Sequence, residues 1–205
     1  MAVTVAISTF GGDEWRELAG KRAGASAKAL GVPVVFAHAD TLHAARNAAL
    51  AAVETEWVIF LDADDQLDAG YLEGLAAAPD ADLIAPAVRY VRPSGRALRP
   101  AAVPRVWGHD HDCEAVCLAY GNWMVIGTAV RAGMVRAVGG WRDWPAYEDW
   151  DLWARCWLAG ATAAAAPEAI YIAHVRPESR NRAGTPADRM EAHRMIARDL
   201  GLPVP

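Results

Sequence analysis

Trp57-Val58-Ile59-Phe60-Leu61-Asp62-Ala63-Asp64-Asp65 decides the fold. Its first five residues are all apolar. Such a run suits a strand covered on both faces of a parallel sheet, not one with a wet face. Its last four residues hold three carboxylates where that strand must end. On the amino-terminal side, residues 3–8 form a short β-branched run stopped by Gly11-Gly12, and Asp13 is placed to cap a helix over residues 14–30, with Gly31 as its stop. Residues 32–37 read as a second strand, residues 42–53 as an Ala-rich helix and residues 56–61 as the third strand. Beyond the acidic turn, Asp68 begins a helix over residues 69–78, and residues 83–88 are a fourth strand. Strand–helix–strand units of this length imply right-handed crossovers and an open, mostly parallel α/β sheet flanked by helices.

The second half is less regular and predicts a smaller antiparallel part. Residues 88–106 carry Arg-Pro and Ser94-Gly95 turn signals that suit a hairpin or edge strands. Residues 113–120 read as a short helix, 124–130 as a strand, 148–159 as a helix, 169–173 as a strand and 187–200 as a final amphipathic helix. No internal repeat, low-complexity linker or domain boundary is visible, so the 205 residues are expected to form one domain.

Composition narrows the function classes. Hydrophobic residues make up 54% and charged residues 22%, which is a globular balance. With 20 basic against 25 acidic residues the net charge is −5, which argues against nucleic-acid binding by a general basic surface. Cys113, Cys117 and Cys156 are an odd, irregularly spaced set and make no disulfide framework, so a reducing compartment is the simplest reading. The first ten residues are too short and too polar for a signal peptide, and no run approaches the ~20 apolar residues of an integral membrane segment. The expectation is a soluble, cytoplasmic protein.

Open α/β sheets bind ligands outside the carboxyl ends of their strands. Asp62, Asp64 and Asp65 leave such an end together. Three carboxylates there repel one another unless a cation sits among them, and Asp-x-Asp spacing lets two converge on one hard divalent ion such as Mg2+ or Mn2+. The blander account is a loop whose aspartates cap turns and the next helix.

In its ordered blocks the chain resembles the family 2 glycosyltransferases of the GT-A fold. The blocks are Ala44-Ala45-Arg46-Asn47-Ala48-Ala49-Leu50, then the strand ending in Asp62-Ala63-Asp64-Asp65, then Gly121-Asn122, Gly127 and Arg131, then Gly139-Gly140-Trp141, and Glu148-Asp149-Trp150-Asp151-Leu152-Trp153-Ala154-Arg155. The resemblance implies a Rossmann-like GT-A domain, with residues 1–90 as the nucleotide-sugar-binding half, 91–175 as the acceptor and catalytic half, and 176–205 as a closing loop and helix. It implies metal-dependent, inverting transfer of a sugar from a nucleotide-diphosphate sugar, with UDP, GDP or TDP as carrier. The acceptor is a glycan, a lipid, a small molecule or a protein. Residue by residue, Asp64, with Asp65 and the late His174, matches the metal site, and Asp62 faces the ribose or a metal-bound water. Thr9 and Phe10 match the start of the nucleoside pocket, and Arg46 a donor-site position. Asp149 matches the general base, beside Glu148 and Gly127 on the acceptor side. Arg180 and Arg182 are candidates to cover the phosphates, and Trp123 and Trp144 to stack on a sugar acceptor. One departure stands out: a single strand ending in His38-Ala39-Asp40 stands where the family has a further β-α unit, which is missing or merged here, and Asp40 is a candidate to replace the usual base-contacting aspartate.

An acceptor hydroxyl is a poor nucleophile, and a carboxylate must take its proton as attack develops. At a helix start, backbone donors and the helix dipole are expected to keep Asp149 ionised. Other signals carry less. His109-Asp110-His111-Asp112 with Cys113 and Cys117 matches no standard zinc spacing. Trp150, Trp153 and Trp157 share a helical face, as core residues do. Two rival functions are a nucleotidyltransferase-like enzyme and a catalytically silent nucleotide-sugar-binding module. The loop Thr9-Phe10-Gly11-Gly12-Asp13 is acidic and lacks the basic residue the first would need, and the joint presence of Asp64, Asp149 and His174 speaks against the second.

Overall fold

A computed structural model describes residues 1–97, 118, 122–176 and 185–204. The strands are β1 (Val3–Phe10), β2 (Val34–Ala39), β3 (Trp57–Asp62), β4 (Gln66–Leu67), β5 (Leu83–Val91), β6 (Ala129–Arg131) and β7 (Ala163–His174). The helices are α1 (Asp13–Lys21), α2 (Ala23–Ala29), α3 (Leu42–Ala51), α4 (Tyr71–Ala76), α5 (Ala132–Ala137), α6 (Glu148–Leu158) and α7 (Pro186–Asp199). The strands form one sheet in the order β2-β1-β3-β6-β5-β7-β4. β1 runs parallel to β2 and β3, and β5 parallel to β7, while β6 and β4 are antiparallel to their neighbours. β1, β2, β3, β5 and β7 therefore all point one way and end along one edge.

The apolar reading of the third strand holds: Val58, Ile59, Phe60 and Leu61 are buried with Val5 and Ile7 of β1. Trp150 and Trp153 of α6 are fully buried, and Trp141 lies edge-on to both Phe60 and Trp153. Among the described residues no helix is long and apolar enough to cross a membrane.

Several boundaries differ from the sequence expectation. The single helix over residues 14–30 is two helices, α1 and α2, divided at Arg22 (φ −114°, ψ −77°). The division lets α2 lie under β4, where the Ser26 hydroxyl accepts from the Leu67 N–H at 3.2 Å, and lets Arg22 reach the Asp64 carbonyl at 2.9 Å. The helix expected over 69–78 is only α4, because Asp68 forms a turn of its own, accepting from Gly70 N–H at 3.2 Å and from Arg89 at 3.1 Å. The strand expected over 124–130 is reduced to β6. Thr128 folds the preceding residues into a turn, its N–H and hydroxyl both donating to the Val125 carbonyl (3.0 and 2.8 Å). The strand expected over 169–173 is longer, because β7 pairs along β5 on both sides of an irregularity at Pro86/Ala87. The final helix, α7, opens with a capping box between Thr185 and Asp188 and Pro186 in its first turn. The expected hairpin is described only as far as an antiparallel bridge of Val91 with Ala97, and the expected helix over 113–120 lies outside the described residues apart from Leu118.

Two helical glycines give a stability test. A Cβ on Gly74 of α4 would meet the Ala169 backbone nitrogen at 2.3 Å, whereas one on Gly20 of α1 meets nothing within 4 Å. Gly20→Ala should stabilise by about 0.4–1 kcal/mol. Gly74→Ala should destabilise by about 1–3 kcal/mol, because backbone must shift. Chemical denaturation of the two variants checks both signs.

Candidate active site

Several of the candidate site residues lie at the shared carboxyl edge. Thr9 and His38 are register partners at the ends of β1 and β2, and the Thr9 hydroxyl lies 3.0 Å from His38 Nδ1. A cavity of about 180 Å3 is lined by Thr9, Arg16, Ala19, Phe36, Ala37 and His38. Phe10 is half-buried at the end of β1, and Asp40 is exposed just past β2. Asp62 is level with Ser8, so the acidic turn leaves the sheet beside the end of β1.

Arg46 joins the two halves of the site. It sits on α3 with its side chain only 4% exposed, donating to Asp62 Oδ1 and to Glu148 Oε1, each at 2.9 Å. Its guanidinium lies over the Trp141 ring, 4.2 Å from the centroid. Burial alone would lower its pKa, but Asp62 and Glu148 outweigh it, and the net shift is upward. The arginine is thus a fixed positive charge. Its neighbour Asn47 makes a reciprocal pair with Trp141, accepting its N–H and donating to its carbonyl, both at 2.8 Å. Gly140 turns with φ +71°, and a Cβ there would meet Asn47 Oδ1 at 2.4 Å. The Ala-Arg-Asn block and the Gly-Gly-Trp block are therefore one structural unit.

Asp149, half-buried in the first turn of α6, accepts from the Trp150 N–H and from Asn122 Nδ2, each at 2.8 Å. The residue before α6, Tyr147, is left-handed at φ +59°, a costly conformation for a tyrosine. The expected donors are present, but they do not hold the carboxyl at an ordinary value. Burial, helped by the Glu148 charge, pushes Asp149 up to about 6, against the pull of Trp150 N–H, Arg46 and Asn122. Such a carboxylate is mostly ionised at neutral pH yet more basic than an exposed one.

The acidic turn is divided between two roles. Asp65 is buried: its Oδ2 accepts from the Tyr171 hydroxyl at 2.6 Å and its Oδ1 from the His174 N–H at 2.7 Å. Burial and the charges of Asp62 and Asp64 push it up to about 8. Asp64 stays 23% exposed, and burial together with Asp62 raises its pKa. His174 Nε2 lies 2.8 Å from Gln66 Oε1, which holds the ring beside this turn. Among the described residues no group of three or more His, Cys, Asp or Glu side chains could hold a metal by itself. The oxygens of Asp62 and Asp64 still fit a hard divalent ion in chemistry, because such ions commonly take one or two carboxylates and complete their shell with phosphate oxygens and water.

The other expected residues are less concentrated. Gly127 is packed in the core, its carbonyl accepting from the Tyr71 hydroxyl and its Cα against the Tyr171 ring. Trp123 and Trp144 are partly buried against the core, and the Arg142 guanidinium lies 5.4 Å from the Trp144 ring centroid. Arg180, Arg182, Gly121 and the stretch from His109 to Cys117 lie outside the described residues. Sequence reasoning passed over Asn47, Tyr171 and Arg22 as supports, and gave Asn122 no partner. Only Asn47 and Asn122 carried a signal, since both stood inside the blocks quoted above.

The model of glycosyl transferase family 2 matches residues 23–126. The fold is similar to that of S. aureus TarS 1-349 in complex with UDP-GlcNAc, with a TM-score of 0.64 and 15% identity over 96% of this chain and 65% of that one. The same protein in complex with UDP gives a TM-score of 0.57 and 14% identity over 96% and 64%. Another structure of S. aureus TarS gives 0.58 and 18% over 97% and 39%. At such identities the likeness is one of fold, GT-A, and the chain spans less than two thirds of each of these structures. No curated protein sequence matches. The family model covers half of the chain, and the chain belongs to glycosyl transferase family 2.

Proposed function

We propose that the protein transfers a sugar from a UDP-sugar to an acceptor hydroxyl, with inversion at the anomeric carbon and Asp149 as the base. The observation that carries this reading is the Arg46 bridge, which ties Asp62 of the acidic turn to Glu148, the neighbour of Asp149. In this reading the bridge keeps the donor-side and acceptor-side residues together. UDP is the favoured carrier because similar folds are known in complex with UDP-GlcNAc and with UDP.

In the proposed reaction the nucleoside lies over the ends of β1 and β2, near Thr9, Phe10, His38 and Asp40. Asp149 accepts the proton of the acceptor hydroxyl as its oxygen bonds to the anomeric carbon. The bond from that carbon to the diphosphate oxygen breaks, and its electron pair leaves with UDP. Attack and departure on opposite faces invert the centre. Asn122 and the Trp150 N–H orient the Asp149 carboxylate, and Glu148 is held back by Arg46 from competing for the proton. Asp64, with Asp62 and His174, would hold Mn2+ or Mg2+, which when bound supplies charge neutralisation for the departing diphosphate. Asp65 belongs in this reading to the anchoring of β7, since both its oxygens are already engaged. Trp123 and Trp144 are retained as acceptor-side residues.

Asp149→Asn should lower kcat about 10²–10⁴-fold while leaving UDP affinity unchanged, as read by turnover assay and calorimetry. A parallel loss of UDP binding would mean a structural role. kcat/KM should fall on the acid side with a midpoint near 6, since only ionised Asp149 can accept a proton. Asn122→Ala removes a bond that favours the ionised form, so this limb should move to higher pH. UDP at ~100 times its Kd should stabilise by about 2.7 kcal/mol in thermal unfolding. Added Mn2+ should tighten UDP binding in the wild type but not in Asp64→Asn, and an equal effect in both proteins would exclude Asp64 as a ligand.

A further inference from the structure

Arg176 stands two residues past His174, at the end of β7, and belongs to none of the motifs read from the sequence. Its Nη1 lies 3.9 Å from Asp64 Oδ2, and its guanidinium carbon lies 4.9 Å from the centroid of the Trp15 ring on α1. The side chain is 36% exposed, so the charge is presented at the surface of the site and not consumed within the core. The Asp64 backbone is held independently, its carbonyl accepting from Arg22 at 2.9 Å. Trp15 therefore acts as a platform from which a partly exposed guanidinium faces the one carboxylate of the turn that is not committed elsewhere.

A guanidinium at 3.9 Å is too far for a hydrogen bond but close enough to offset part of the repulsion between Asp62 and Asp64. A divalent ion taken up by Asp64 would compete with it for the same oxygens. Displaced from Asp64, the planar fork would still be held by Trp15, now beside a diphosphate, the group it fits best.

We propose that Arg176 is a counter-cation that exchanges partners: it neutralises Asp64 before the donor arrives and grips the donor's diphosphate once a divalent ion has taken Asp64. The inference rests on the metal assignment proposed above, and the test separates the two. The two halves predict opposite effects of Arg176→Gln. Mn2+ alone, followed by electron paramagnetic resonance, should bind about threefold more tightly to the variant, the size expected for removing a half-exposed competing charge. UDP at saturating Mn2+, followed by calorimetry, should bind about tenfold more weakly. Arg176→Lys should recover part of the UDP affinity, and Trp15→Leu should weaken UDP in the same direction by a smaller factor. Unchanged UDP affinity, or metal and UDP affinities that fall together, would overturn the exchange. If wild-type protein binds UDP without any response to Mn2+, the metal assignment fails. The diphosphate contact of Arg176 then stands or falls on UDP affinity in the variant alone.

Discussion

A single buried cation organises this molecule's chemistry. The Arg46 guanidinium lies over the Trp141 ring and is forked between Asp62 and Glu148. Burying such a charge costs several kcal/mol unless it is well paired, and removing one partner of a buried pair typically costs about 3–5 kcal/mol. The arrangement is thus not a cheap source of stability. Its consequence is geometric. One carboxylate comes from the end of β3 and the other from the first turn of α6; 86 positions apart in sequence, they are brought together by pairing with the same guanidinium. The charge also lies near Asp149, restraining the upward shift that burial imposes on it.

Around that cation the supports are layered. Asn47 grips Trp141, the platform on which Arg46 rests, and the left-handed Gly140 makes room for the grip. On the far side, Asp151 is fully buried and paired with Arg155 and Arg142, while Arg155 donates to the carbonyls of Val138 and Gly140 at 2.6 and 2.7 Å. The Gly-Gly-Trp turn is held between α3 and α6 by the Asn47 bonds to the Trp141 backbone and the Arg155 bonds to the Val138 and Gly140 carbonyls. Buried networks of this kind favour one arrangement strongly, because each unmade bond in low dielectric is costly. α7 completes the support: His193 stacks on Trp150 at 4.0 Å and meets Tyr147 edge-on, next to the strained entry into α6.

The acidic turn shows how one short motif is shared among different tasks. Asp62 serves Arg46, Asp64 remains open toward Arg176, and Asp65 ties the turn to Tyr171 and the backbone of His174. The chain turns between them, the Asp65 N–H donating to the Asp62 carbonyl at 3.1 Å. The Asp65 contacts also bring β7, and His174 with it, to the end of β3, although β7 is not a sheet neighbour of β3.

The α/β class, the buried third strand and the order of the family blocks were legible in the sequence, because they rest on local periodicity and on residue types at short spacing. The core role of Trp150 and Trp153 was legible for the same reason. The break at Arg22 and the extension of β7 were not, since each follows from a partner distant in the chain: Asp64 and Leu67 for the first, β5 for the second. The sequence by itself determined that carboxylates and a late histidine would leave strand ends of an open sheet. Only the tertiary structure decided which carboxylate meets which cation, because hydrogen bonds and burial act through space and have no signature in spacing along the chain.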